Sequence, residues 1–224
     1  MQQRFRGSIS RARRTLICAG TTVALAATMT VAAAFTSPAA QAATPSYKVA
    51  VVGDSWISGE GLGNYLSGTD TASNECHRST RGWTQQVIMP GHSLTIGRLV
   101  NDGSATMSLA FTACSGATIP NVLSTSKFGE NPQLGRIPTD ATHVFLSIGG
   151  NDLHFKERVE HCANPIVNCL EEVGYLSNML TEIDSLKPQL TTVLTKIRER
   201  ASSARIILTG YARLFSPYYM CLGA

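Results

Sequence analysis

The chain has 224 residues, of which 43% are hydrophobic and 15% charged, and a formal net charge of +4. That balance fits one globular domain and excludes a disordered or fibrous chain. Five of the 19 Lys and Arg (Arg4, Arg6, Arg11, Arg13 and Arg14) precede residue 15, so 14 remain against 15 Asp and Glu, a net −1, and no basic patch argues for a nucleic-acid partner.

Those five arginines form a basic region, and an apolar run from Leu16 to about Phe35 follows. Ala40-Gln41-Ala42 is a small-x-small cleavage site, so residues 1–42 read as a secretory signal peptide. Alanine and threonine dilute the apolar run, which argues against a permanent anchor. Arg13-Arg14 is a weak sign of twin-arginine export. The expected product is an extracellular monomer, residues 43–224, that meets a membrane only during export.

Tyr47 to Val52 is a short apolar run that reads as a buried strand, and it ends in Gly53-Asp54-Ser55-Trp56. Gly53 permits a sharp turn that lifts the Ser55 hydroxyl into solvent. A polar, glycine-rich loop runs from Trp56 to about Asn74. Cys76-His77-Arg78-Ser79 leads into a short helix expected over Trp83 to Ile88. His92 sits in a Pro-Gly-His turn and is expected to be solvated. Ala105 to Cys114 reads as a second strand, ending in the small-residue turn Cys114-Ser115-Gly116-Ala117-Thr118. His143 to Ile148 is a third, ending in Gly149-Gly150-Asn151-Asp152. Phe155 to Glu160 is charged and reads as a solvated face, against a metal site built from His154, Glu157 and His161. Leu176, Met179, Leu180, Ile183, Leu190, Val193, Leu194 and Ile197 recur at helical spacing. Pro188 is expected to divide that stretch into two helices. Arg205 to Gly210 is a fourth strand. Strands that are unbroken apolar runs and alternate with helices indicate a parallel sheet covered on both faces.

Five cysteines follow the leader, and an exported chain with several cysteines forms disulfides. Cys162 and Cys169 close a short loop and make the first expected pair; Cys76 and Cys114 make the second. Cys221 is left over, with a partner expected downstream.

Three strands thus end in turns carrying what acyl transfer needs. Strand one ends in Ser55, whose hydroxyl is the kind of group acyl transfer uses as a nucleophile. Gly116 lets a backbone N–H approach closely, and Asn151 carries an uncharged amide donor for a developing oxyanion. In a parallel sheet the three turns share one edge, which is where such sheets hold ligands.

At these residues the sequence resembles the SGNH hydrolases, also called GDSL esterases and lipases. The blocks are Gly53-Asp54-Ser55, Gly116, and Gly149-Gly150-Asn151-Asp152, in order. Cys76-His77-Arg78-Ser79 and Ala113 to Thr118 are similar to the secreted actinobacterial esterase and lipase branch. The resemblance implies a flavodoxin-like three-layer α/β/α sandwich, with Ser55 as nucleophile and an oxyanion hole made by the Ser55 N–H, the Gly116 N–H and the Asn151 side chain. It implies no cofactor and no metal, and a small-molecule ester or lipid substrate. It also implies a C-terminal Asp-x-x-His block supplying the general base, and no such block follows strand four here. Asp140-Ala141-Thr142-His143 fits the string but precedes strand three, so it faces the other edge. The expectation is a C-terminally truncated domain, lacking a last strand and helix, that folds poorly alone and has little or no activity. The rivals are a non-catalytic remnant or binding domain of the same fold, and an esterase for acylated carbohydrate.

Overall fold

The computed structural model describes residues 43–212, apart from Pro165 and Leu170. The expected leader at 1–42 and Cys221 lie outside the described residues. Four apolar runs become β1 (Tyr47–Gly53), β2 (Met107–Phe111), β3 (His143–Ser147) and β4 (Arg205–Leu208). They pair in parallel in the order β2-β1-β3-β4, with Val51 opposite both Phe111 and Phe145, and Phe145 opposite Ile207. The chain starts at β1, steps to the β2 edge, then crosses back over β1 to β3. The reversal falls between β1 and β3, the switch point beside which open α/β sheets hold ligands.

Successive strand residues point to opposite faces. Ala50, Val52, Val144 and Leu146 face a layer made by α3 (Ile119–Leu123) and α5 (Tyr175–Arg200), where Ile119, Val122, Leu186, Val193 and Ile197 pack against them. Val49, Val51 and Phe145 face the other layer, where Ile57 of α1 (Ser55–Ser58) and Ile96 and Leu99 of α2 (Ile96–Asn101) join them. The result is the expected α/β/α sandwich. Burying each such Val, Ile or Leu side chain contributes roughly 1.5–3 kcal/mol, so both faces hold the sheet in place. Among the described residues no helix is long and apolar enough to cross a membrane.

The structure corrects several sequence expectations. Pro188 does not divide the long helix: α5 is one 26-residue element with Pro188 inside it. An internal proline costs about 3 kcal/mol. Leu186 before it and Val193 and Ile197 after it enter the same core, and that shared burial outweighs the lost hydrogen bond. β2 is shorter than the apolar run that announces it: Thr112 N makes the last rung to Val51 O, and Ala113 N turns back to share the same carbonyl. The helix expected from Trp83 is a 3₁₀ turn over Trp83–Gln86, with Trp83 set edge-on against Phe145. His92 keeps partial exposure in its turn, with its Nε2 2.9 Å from Pro45 O. The charged segment after Asn151 forms α4 (Phe155–Ala163), which buries no residue.

Candidate active site

β1 ends where Gly53 adopts φ +139°. A Cβ there would overlap the Ser147 carbonyl and stand 2.9 Å from Ile57 Cγ2, so only glycine fits. Asp54 N donates to Ser147 O at 3.0 Å, and the Asp54 carboxylate then caps α1 by accepting from Trp56 N at 3.0 Å. Short polar side chains suit that role because they satisfy an N–H that a first helical turn leaves unpaired. The cap puts Ser55 at the first position of α1, half-exposed at the carboxyl edge of the sheet.

The second turn is locked to the first. Cys114 N donates to Gly53 O at 3.0 Å and Ser115 N to Cys76 O at 3.0 Å. Cys76 and Cys114 are joined as a disulfide, as are Cys162 and Cys169. Gly116 is exposed with φ +67°, a conformation that glycine adopts without strain. The third turn is locked to the second. Asn151 Nδ2 donates to Ala117 O at 2.8 Å, and both Asp152 oxygens accept from Ile119 N at 3.1 Å. The structure therefore brings Ser55, Gly116 and Asn151 onto one edge, in turns bonded pair by pair. Among the described residues, neither the Ser55 N–H nor the Gly116 N–H donates to a backbone carbonyl outside regular elements.

The surroundings explain residues whose roles the sequence left open. Arg78 is 5% exposed; it donates to Ala113 O at 3.0 Å and pairs with Glu130, which also pairs with Arg136. Burial pulls the Arg78 guanidinium below its ordinary value, against the neighbouring Glu130 charge that raises it. Ser79 is fully buried and donates to Gly63 O at 2.5 Å. These two side chains, beside Cys76, hold the long loop against the second turn.

Among the described residues no histidine side chain hydrogen-bonds Ser55. His77 is stacked on Tyr65 and held between Glu60 at 2.6 Å and Asp70 at 3.3 Å. His143 opens β3 at the opposite edge and lies against the Tyr47 ring, while Asp140 pairs with Lys48. His161 contacts Glu172 at 2.9 Å. Among the described residues no cluster of three metal-ligating side chains forms.

Two residues of this site escaped sequence reading. Gln133 is buried and reaches across from a 3₁₀ turn (Gln133–Arg136) to bond Gly53 through both its amide atoms, at 2.7 and 2.9 Å. Tyr211, three residues past β4, donates its hydroxyl to Asp54. Asp54 is 1% exposed, and burial pushes its carboxyl up to about 6 against the Tyr211 and Trp56 hydrogen bonds that lower it. Burial also raises Asp152. Neither Gln133 nor Tyr211 has a local spacing that ties it to Ser55. A groove of about 540 Å³ between α3, α5 and the Gln133 turn contains none of Ser55, Gly116 or Asn151.

The chain belongs to the GDSL-like lipase/acylhydrolase family, whose profile matches residues 51–221. It is 32% identical over 190 residues to Lipase 1 of Streptomyces coelicolor, covering 82% of this chain and 60% of that one. It is 29% identical over 165 residues to the lipase of Streptomyces rimosus, covering 73% and 52%. Two crystal structures are similar: the extracellular lipase of Streptomyces rimosus, at TM-score 0.55 and 26% identity over 80% of this chain and 65% of that one, and phospholipase A1 from Streptomyces albidoflavus, at TM-score 0.55 and 25% identity over 79% and 64%. The chain thus spans 60% and 52% of the lengths of the two lipases matched by sequence.

Proposed function

We propose that this protein is a secreted ester hydrolase working through an acyl-enzyme on Ser55. The Ser55 Oγ attacks the ester carbonyl carbon and gives its proton to a general base. The carbonyl oxygen becomes an oxyanion that accepts from the Ser55 N–H, the Gly116 N–H and the Asn151 amide. Collapse breaks the bond to the alcohol, which leaves with the proton. Water then repeats the sequence on the acyl group, releasing a carboxylic acid and restoring Ser55. The observation that carries this reading is the set of three turns bonded to one another at the carboxyl edge, at the β1/β3 switch point. Preorganised donors of this kind contribute about 10²–10³ each in rate.

Relatives named lipase and phospholipase A1 favour a lipid ester over an acylated carbohydrate. No described histidine bonds Ser55, so activity in this reading requires a base brought to Ser55 from outside residues 43–212. Without one the rate falls on the order of 10⁴–10⁶. The same observation favours a second reading, a non-catalytic domain of this fold.

The test is turnover of p-nitrophenyl butyrate together with covalent labelling by a fluorophosphonate. Ser55→Ala should abolish both, and Asn151→Ala should lower kcat about 10²-fold. Unchanged ester turnover in Ser55→Ala overturns the proposal, and absence of both signals in the unaltered protein supports the second reading.

A further inference from the structure

The Tyr211 hydroxyl lies between two turns of the site. It donates to Asp54 Oδ2 and accepts from Gly150 N at 2.8 Å. Asp54 immediately precedes Ser55, and Gly150 immediately precedes Asn151. The three groups form a chain with one sense: amide N–H into phenol oxygen, phenol O–H into carboxylate. A buried charge at its end orients both protons, and hydrogen bonds to ionised groups are roughly twice as strong as neutral ones. The ring is placed by packing as well. Trp56 sits edge-on to it with centroids 6.1 Å apart, and a Cβ on Gly150 would stand 3.1 Å from its Cζ and hydroxyl. Gly150 therefore admits the phenol, and the phenol spans the gap.

We propose that Tyr211 is a positioning residue for the hydrolysis read above: its hydroxyl ties the Asp54 turn to the Gly150 turn and so fixes the separation of the Ser55 nucleophile from the Asn151 amide. This rests on the Ser55 reading. Misplacing a reacting group by about 1 Å can cost up to about 10²-fold in rate, so a bond joining the two turns has leverage on kcat. Two titratable groups face Asp54, Tyr211 from the β4 exit and Asp152 from the β3 exit; the phenol lowers its carboxyl and the carboxylate raises it. The fully buried Ser147 hydroxyl also faces the phenol.

The experiment measures kcat and KM for p-nitrophenyl butyrate on a form of the protein that includes the segment carrying the general base, in four versions: unaltered, Tyr211→Phe, Asn151→Ala and the double variant. Tyr211→Phe keeps the ring and removes the tie. It should lower kcat about tenfold with KM within about twofold, the split expected when a contact matters in the transition state alone. On the Asn151→Ala background the same substitution should have almost no effect, because groups acting through one another are not additive. An active protein whose Tyr211→Phe keeps kcat, or loses as much on the Asn151→Ala background as without it, overturns this proposal alone. So does a fall in Tm with kcat unchanged. A protein without Ser55-dependent turnover overturns the Ser55 reading and this one together.

Discussion

Asp54 immediately precedes Ser55, yet its carboxylate turns inward, where it caps α1 and meets Tyr211. Its carboxyl is raised from the ordinary 3.8 to about 6. The folded state therefore holds the proton more tightly than the unfolded chain. Stability is highest below about pH 4 in this respect, and falls as pH rises from about 4 to about 6. Asp54→Asn removes the titration while keeping an oxygen to accept from Trp56 N. Urea unfolding from pH 4 to 7 should show the variant gaining on the unaltered protein across that window; a constant difference would refute the assignment. Ser55, Gly116 and Asn151 were legible as site candidates because each follows a recognisable apolar run in a turn of small residues. Tyr211 and Gln133 were not. Their partners lie 157 and 80 positions away, and they meet only once the sheet order sets β3 beside β1 and β4 beside β3.

The second turn is held less by its own sequence than by its attachments. The Cys76–Cys114 bond closes a separation of 38 residues, and the Cys162–Cys169 bond one of 7. Chain-entropy reasoning gives about 4 kcal/mol for the first and about 2 kcal/mol for the second. Replacing both cysteines by serine, one pair at a time, should reproduce that order in urea midpoints. The first replacement should also lower ester turnover, because it frees the Gly116 turn. Equal losses of stability, or a greater loss from the shorter loop, would refute this. The strands were legible to within a few residues because their apolar runs are continuous. α5 was misread at Pro188 because propensity is local, whereas Leu186, Val193 and Ile197 are buried by the sheet. α4 gave little signal because it buries no residue.

At the scale of the whole molecule, β2-β1-β3-β4 explains how three turns far apart in sequence share one edge. Strand–helix alternation made the parallel sheet legible, but strand order has no local signature. The charge distribution belongs to this scale too. All five leader charges are positive, and the remainder is close to neutral. The expected export makes residues 1–42 a removable segment. N-terminal sequencing of protein recovered from culture medium should begin at or near Ala43, and retention of the leader on medium-borne protein would refute the assignment.

Gln133 has a consequence for how the sheet stops. At the end of β1 one side chain meets both groups of Gly53: Gly53 N donates to Gln133 Oε1, and Gln133 Nε2 donates to Gly53 O, which also accepts from Cys114 N. A carboxamide has the same atoms as a peptide group, so this side chain acts as one more rung of the ladder, detached from any strand. Glutamate would lack the donor and asparagine the reach. The end of β1 is thus closed by a detached side chain together with the Cys114 turn, two residues before Ser55.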